Sequence, residues 1–124
     1  MNQLPEEITT AWKKHDGPAI FTTVGAEGMP NTIYVTCVRQ YEDGTFLVAD
    51  NKFHKTKENL QAGSKCSLLF ITGKKAYQLK GTVSYESDGP RREFMRECLD
   101  PKYPVHAVAV LAVKEAYSGA EKMI

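Results

Sequence analysis

The chain has 124 residues, of which 16 are Lys or Arg and 15 are Asp or Glu, for a formal net charge of +1. That length suits one compact domain spanning residues 1–124, and 42% hydrophobic with 25% charged residues is the composition of a folded globule rather than a disordered chain. The near-neutral balance excludes a surface built for nucleic-acid backbone or an anionic membrane, both of which demand a basic excess.

Leu4, Ile8, Ala11 and Trp12 recur at helical spacing, with Pro5 where a first-turn proline is tolerated, so a short amphipathic helix is predicted that Gly17-Pro18 ends. Residues 1–16 carry Glu6 and Glu7 and no apolar core, so they do not read as a signal peptide. No apolar run approaches the ~18 residues of a membrane span. Residues 19–24 (AIFTTV) are β-branched and aromatic and predict a first strand, with a turn at Gly25 to Gly28. Residues 31–41 (NTIYVTCVRQY) predict one second strand, with Ile33, Val35 and Cys37 on one face and Thr32, Tyr34 and Thr36 on the other. The hydroxyl face is either a solvated sheet surface or the wall of a binding site.

Glu42-Asp43-Gly44 predicts a hairpin turn and residues 45–49 a third strand. Thr56 is placed to cap a two-turn helix ending at Ala62, with Gly63 in the left-handed position that helix ends prefer. Residues 66–72 and 76–86 predict strands four and five. Ser87 or Asp88 is placed to cap a third helix with Pro90 in its first turn and Phe94, Met95, Cys98 and Leu99 facing inward. Residues 106–113 (HAVAVLAV) are almost wholly apolar, as expected of a strand covered on both faces. Six strands in meander-like order with peripheral helices predict a mainly β fold, a small, largely antiparallel barrel whose closure removes exposed edges.

Cys37, Cys66 and Cys98 cannot all pair within one chain and match neither a disulfide scaffold nor a metal clamp. They read as reduced thiols in a cytoplasmic protein. His15, His54 and His106 share no spacing with cysteines or carboxylates that would build a metal centre, and no dinucleotide or P-loop fingerprint occurs. The most informative stretch is Asp50 to Leu60, DNKFHKTKENL, which gathers Lys52, His54, Lys55, Thr56 and Lys57 around a helix start. Unpaired backbone amides there favour an anion, and lysines in a first turn oppose the helix dipole. The segment is therefore a candidate phosphate site, the alternative being solvated lysines beside a capping threonine. Gln78 and Lys80 point together to one side of the fifth strand, either as an exposed polar face or toward the ligand of Lys55 and Thr56. Tyr103 follows the third helix as a candidate contact for a partner subunit or a flat ring.

NTIYVTCV, VADNKFHKTKENL and YQLKGTVSYESDGP, in this order over nearly the whole chain, resemble the FMN-binding split-barrel proteins related to pyridoxamine 5'-phosphate oxidase, especially their small single-domain members. The resemblance implies a six-stranded antiparallel split β-barrel, a homodimer, and one FMN per subunit in the groove between the two chains. It makes Lys55 and Thr56 the ligands of the FMN phosphate, with Asn51 and Lys52 shaping the loop before them. Val35, Thr36 and Cys37 then line the isoalloxazine and ribityl chain, Gln78 and Lys80 lie near the flavin or phosphate, and Tyr103 reaches toward the partner's flavin. The chain lacks the longer C-terminal segment with which the oxidase completes its pyridoxal-phosphate site, so oxidation of pyridoxamine phosphate is not expected. The implied function is that of an FMN-dependent oxidoreductase passing hydride or electrons to an acceptor, with no catalytic side chain singled out. A non-enzymatic electron carrier and a split barrel using deazaflavin or haem are the alternatives.

Overall fold

The computed structural model describes residues 4–124. The first three residues of the N-terminal segment used above lie outside it. Helix α1 (Glu6–Lys13) has its acids in the first turn and Lys13 in the last, complementing the dipole, and buries Ile8, Ala11 and Trp12. Strand β1 (Asp16–Val24) starts three residues before the apolar run. Gly17 adopts φ 66°, and the register shifts between Asp16 and Ile20, so Gly17-Pro18 belong to the strand rather than standing between it and the helix.

The predicted second strand is in fact two. β2 (Pro30–Val35) pairs antiparallel with β1, whereas β3 (Val38–Gln40) pairs with β4 (Phe46–Asp50). Thr36 and Cys37 are the corner at which the chain leaves one partner strand for the other. After helix α2 (Lys55–Gln61) come β5 (Cys66–Thr72) and β6 (Lys75–Glu86), then helix α3 (Pro90–Cys98), β7 (Ala107–Ser118) and a two-residue β8 (Glu121–Lys122). β7 runs past the apolar residues 107–113 because its charged continuation pairs with the start of β6, Lys80 opposite Glu115.

The eight strands, not six, form one antiparallel sheet in the order β2-β1-β5-β6-β7-β4-β3, with β8 beside β7. This is the expected mainly β architecture, but the sheet does not close: its end strands β2 and β3 are joined by the two-residue corner and not by a hydrogen-bonded ladder. Inside the curl lies one core around Phe21, Phe46, Leu68, Phe70, Leu79 and Leu111, lidded by Trp12, whose ring meets Phe46 and Phe70 edge-on at 5.3 and 5.1 Å. A second, smaller core packs Leu47, Val108 and Val110 against Met95 of α3. β4 and the first part of β7 are thus covered on both faces, as the apolar run of β7 predicts.

Two predicted caps are corrected. Thr56 is the second residue of α2, not its cap; His54 holds the cap position without a side-chain bond. Gly89, at φ 100°, precedes α3 in place of Ser87 or Asp88. Pro90 does stand at the head of that helix and Met95 is buried, with Phe94 and Leu99 packed on the second core, but Cys98 is exposed.

Candidate functional site

The end of β4 delivers Asp50 and Asn51 to the corner between β2 and β3. Asp50 is 2% exposed. Its Oδ1 accepts the Phe53 N–H at 2.8 Å, its Oδ2 accepts the Tyr85 hydroxyl, and its carbonyl accepts the His106 N–H at 2.9 Å. Burial, and then the adjacent Asp50 carboxylate, push the Tyr85 hydroxyl well above the ordinary tyrosine range, so it stays a donor. One buried carboxylate therefore shapes the loop into α2 and holds the segment entering β7.

Asn51 makes the neighbouring connection. Its Oδ1 accepts the Val105 N–H at 3.0 Å and its Nδ2 lies 3.5 Å from Cys37 Sγ. Val105 is fully buried at φ 43°, the left-handed region that a β-branched residue avoids, and Arg92 Nε donates to its carbonyl at 2.9 Å. Asn51 and Arg92 thus hold in place a strained residue two positions after Tyr103, which is half-exposed with Lys102 Nζ 5.2 Å from its ring centroid. Thr36, Cys37, Asn51 and the Tyr103 loop, separated by up to 67 positions in sequence, come together here. Val35, just before this corner, is buried in the first core and Cys37 in the second, while Thr36 between them is exposed.

Thr56 is 2% exposed and its Oγ1 accepts from Asn31 Nδ2 at 3.1 Å, which ties the start of α2 to the start of β2. A second tie runs from Asn59 Nδ2 to Thr23 Oγ1 at 3.0 Å. Lys52 and Lys55 are exposed, and Lys55 Nζ lies 3.5 Å from Glu58 Oε1. The lysines therefore stay at the exposed rim, Lys55 in a surface pair with Glu58, while the threonine is part of the framework.

Gln78 and Lys80 project on the outer face of the sheet, not toward α2. They line a groove of about 420 Å³ with Thr22, Ser67 and Cys66. The register sets Thr32, Thr22, Ser67 and Lys80 in one row across four strands, and Thr22 and Thr32 share a hydrogen bond at 3.0 Å. The alternation along β2 is as the sequence predicts: Thr32, Tyr34 and Thr36 face outward and extend this hydroxyl surface. Neither Lys55 nor Thr56 lines the groove, so within one chain the two polar sets are separate. Sequence reasoning missed Asn31, Asp50 and Tyr85. An acidic residue closing an otherwise apolar strand, TFLVAD, was the available signal for Asp50.

A profile described as pyridoxamine 5'-phosphate oxidase matches residues 4–118, and the chain belongs to that family. It is 28% identical over 123 residues to an uncharacterized protein of Methanocaldococcus jannaschii, covering 94% of this chain and 80% of that one. Among solved structures, HupZ of Group A Streptococcus superposes with a TM-score of 0.80 at 22% identity, covering 94% of each chain. An FMN-binding protein from Syntrophomonas wolfei gives 0.73 at 15% identity, covering 91% of this chain and 84% of that one. A heme-binding protein from Mycobacterium smegmatis also gives 0.73, at 17% identity, over 95% of this chain but 55% of that one. These likenesses establish the split-barrel fold.

Proposed function

We propose that residues 1–124 act as one FMN-binding split-barrel domain that works as a homodimer, with a flavin between the two copies, and that the protein is an oxidoreductase. The observation that carries this reading is the convergence of Thr36, Cys37, Asn51 and the Tyr103 loop at one corner, beside the helix that presents Lys55. These are residues that the family resemblance independently links to the flavin. Members of the family are typically dimers. Gln78 and Lys80, on the outer face, reach the flavin bound to the partner copy in this arrangement.

The donor set fits the group. Lys55 and Lys52 supply ammonium groups for a phosphate, Thr36 and the backbone of Val35 supply polar contacts for the ribityl chain and ring, and Tyr103 supplies a flat face. FMN, when bound, supplies hydride and one-electron chemistry. The chain's own part is to hold the phosphate, orient the ring against the corner, and fix the Tyr103 loop through Asn51. No acid or base is required of it. The second reading, haem, rests on the likeness to the heme-binding protein from Mycobacterium smegmatis. Haem iron takes an axial His, Cys, Met or Tyr. What favours flavin is the rim beside the corner, where Lys52 and Lys55 supply charge for a phosphate, a group that haem does not carry.

Among the described residues, no helix is long and apolar enough to cross a membrane. Three unpaired thiols, Cys37 and Cys66 buried and Cys98 exposed, support a reducing, cytoplasmic setting. The visible spectrum of the purified protein, followed by titration with FMN, deazaflavin and haemin, tests the cofactor. Flavin absorbance, or saturable FMN uptake at one per chain, is expected. A colourless protein that takes up no FMN refutes the reading, and a Soret band transfers it to haem. Steady-state turnover of the loaded protein with reduced nicotinamides and common acceptors separates an enzyme from an electron carrier.

A further inference from the structure

Tyr103 stands in the irregular link between α3 and β7, residues 99–106. The first half of the link closes on itself: the Asp100 carbonyl accepts the Tyr103 N–H at 3.0 Å, and Asp100 Oδ1 accepts the Lys102 N–H at 2.9 Å. The second half is gripped from two sides. The end of β4 takes its amides, with the Val105 N–H donating to Asn51 Oδ1 at 3.0 Å and the His106 N–H to the Asp50 carbonyl at 2.9 Å. Helix α3 takes its carbonyls. Arg92 Nε donates to the Val105 carbonyl at 2.9 Å and Arg96 Nη1 to that of Pro104 at 3.4 Å, two donors one turn apart on the same face of α3. The Arg92 side chain is 22% exposed, so its short bond is shielded from water, whereas Arg96 is exposed and its bond is long.

A buried β-branched residue at φ 43° is strained, and Val105 stays there only while its amide and its carbonyl are both held. Release of the carbonyl lets Val105 rotate toward an ordinary extended conformation. Pro104, whose ring fixes its own φ, passes that rotation on to Tyr103 instead of absorbing it. We propose that Arg92 is a positioning residue of the flavin site: by holding the Val105 carbonyl it sets where the Tyr103 ring stands, and so how closely that ring meets the bound flavin. This role rests on the flavin reading and extends it to a residue of α3 that is none of the proposed flavin contacts.

The fluorescence of bound FMN reads the contact, since a tyrosine ring against the isoalloxazine quenches its emission and a phenylalanine ring does not. Arg92→Met and Arg92→Gln give side chains of the same reach that both suit a helix, but only glutamine keeps an N–H donor at the position of the arginine Nε. In the full chain loaded with FMN, the wild type is expected to be dim and Tyr103→Phe bright. Arg92→Met is expected to shift the ratio of held to released loop by about 10-fold or more, the weight of one charge-assisted hydrogen bond, and to brighten the flavin. Arg92→Gln is expected to lie nearer the wild type. In the Tyr103→Phe background Arg92→Met is expected to change nothing further, because its effect passes through that ring. The proposal is overturned if Arg92→Met is as dim as the wild type, if Arg92→Gln is as bright as Arg92→Met, or if Tyr103→Phe stays dim. It is overturned equally if Arg92→Met brightens both backgrounds alike, as a merely structural loss would. A wild type that takes up no FMN removes the flavin reading and this role together, whereas FMN uptake with any of the other contrary results removes this role alone.

Discussion

Gly81→Ala puts the central ladder of the sheet to a quantitative test. Gly81 lies where the β6–β7 register shifts, and a Cβ built there falls 2.0 Å from the Ala112 carbonyl oxygen and 3.1 Å from the Lys114 nitrogen. Both are backbone atoms, so no side chain can swing aside. β7 must retreat by about 1.4 Å, the gap between 2.0 Å and the 3.4 Å at which ordinary contact begins. Overpacking costs about 1–3 kcal/mol, and displacing the ladder sacrifices one or two hydrogen bonds of about 1 kcal/mol each. Against this, replacing glycine restrains the unfolded chain and returns about 0.4–1 kcal/mol. The expected net loss is about 1–4.5 kcal/mol, or roughly 4–18 °C in Tm for a domain of this size. Urea unfolding followed by far-UV circular dichroism and by the single Trp12 reads it directly. Gly25→Ala is the control, since its Cβ meets only ordinary contacts at 3.5 Å, and it is expected to stay within about 0.5 kcal/mol of wild type. A loss below 1 kcal/mol for Gly81→Ala would refute the account of why glycine stands there.

Lys55→Ala is expected to weaken FMN binding by roughly 10- to 100-fold, the worth of one charged hydrogen bond, without moving the urea midpoint, because its one ion-pair partner among the described residues is an exposed Glu58; unchanged affinity counts against the phosphate assignment. Asn51→Ala leaves the Val105 N–H without its acceptor and is expected to cost about 1–3 kcal/mol. It should also speed amide exchange at Val105 and His106, and exchange no faster than wild type would show that Asn51 does not hold that loop. Tyr85→Phe removes one of the two donors to the Asp50 carboxylate and is expected to cost a similar amount at pH 7. Because the folded-state pKa of Tyr85 is raised, its contribution is present below the unfolded value near 10 and is lost as pH rises beyond it. The wild type should therefore lose stability above pH 10, in company with Tyr77 and Tyr117, and Tyr85→Phe should lose less over that window. Equal slopes would contradict the linkage. With an aromatic disulfide reagent at pH 8, Cys98 should react in the native protein and Cys66, buried and shifted to about 12, only after unfolding.

Much of this protein was legible in its sequence. Local patterning placed three helices, the strands at residues 66–72 and 76–86, and the doubly covered apolar run in β7, because period and composition are properties of short segments. The motif ADNKFHKT runs from the corner where Thr36, Cys37 and the Tyr103 loop meet into the start of α2. The sequence did not reveal that residues 31–41 serve two partner strands, since alternation continues unbroken through Thr36 and Cys37 while hydrogen-bond partners are chosen by strands far along the chain. Nor did it distinguish Thr56 as a buried acceptor for Asn31 from Thr56 as a cap, two roles with the same local spelling. What the sequence determined alone was the class of fold and the segments that carry polar chemistry. Tertiary structure decided that Asn51 holds the Val105 loop, that Gly81 admits β7, and that Gln78 and Lys80 face an outer groove that Lys55 and Thr56 do not line. Each of these depends on which distant backbones lie side by side, and short-range pattern does not encode that.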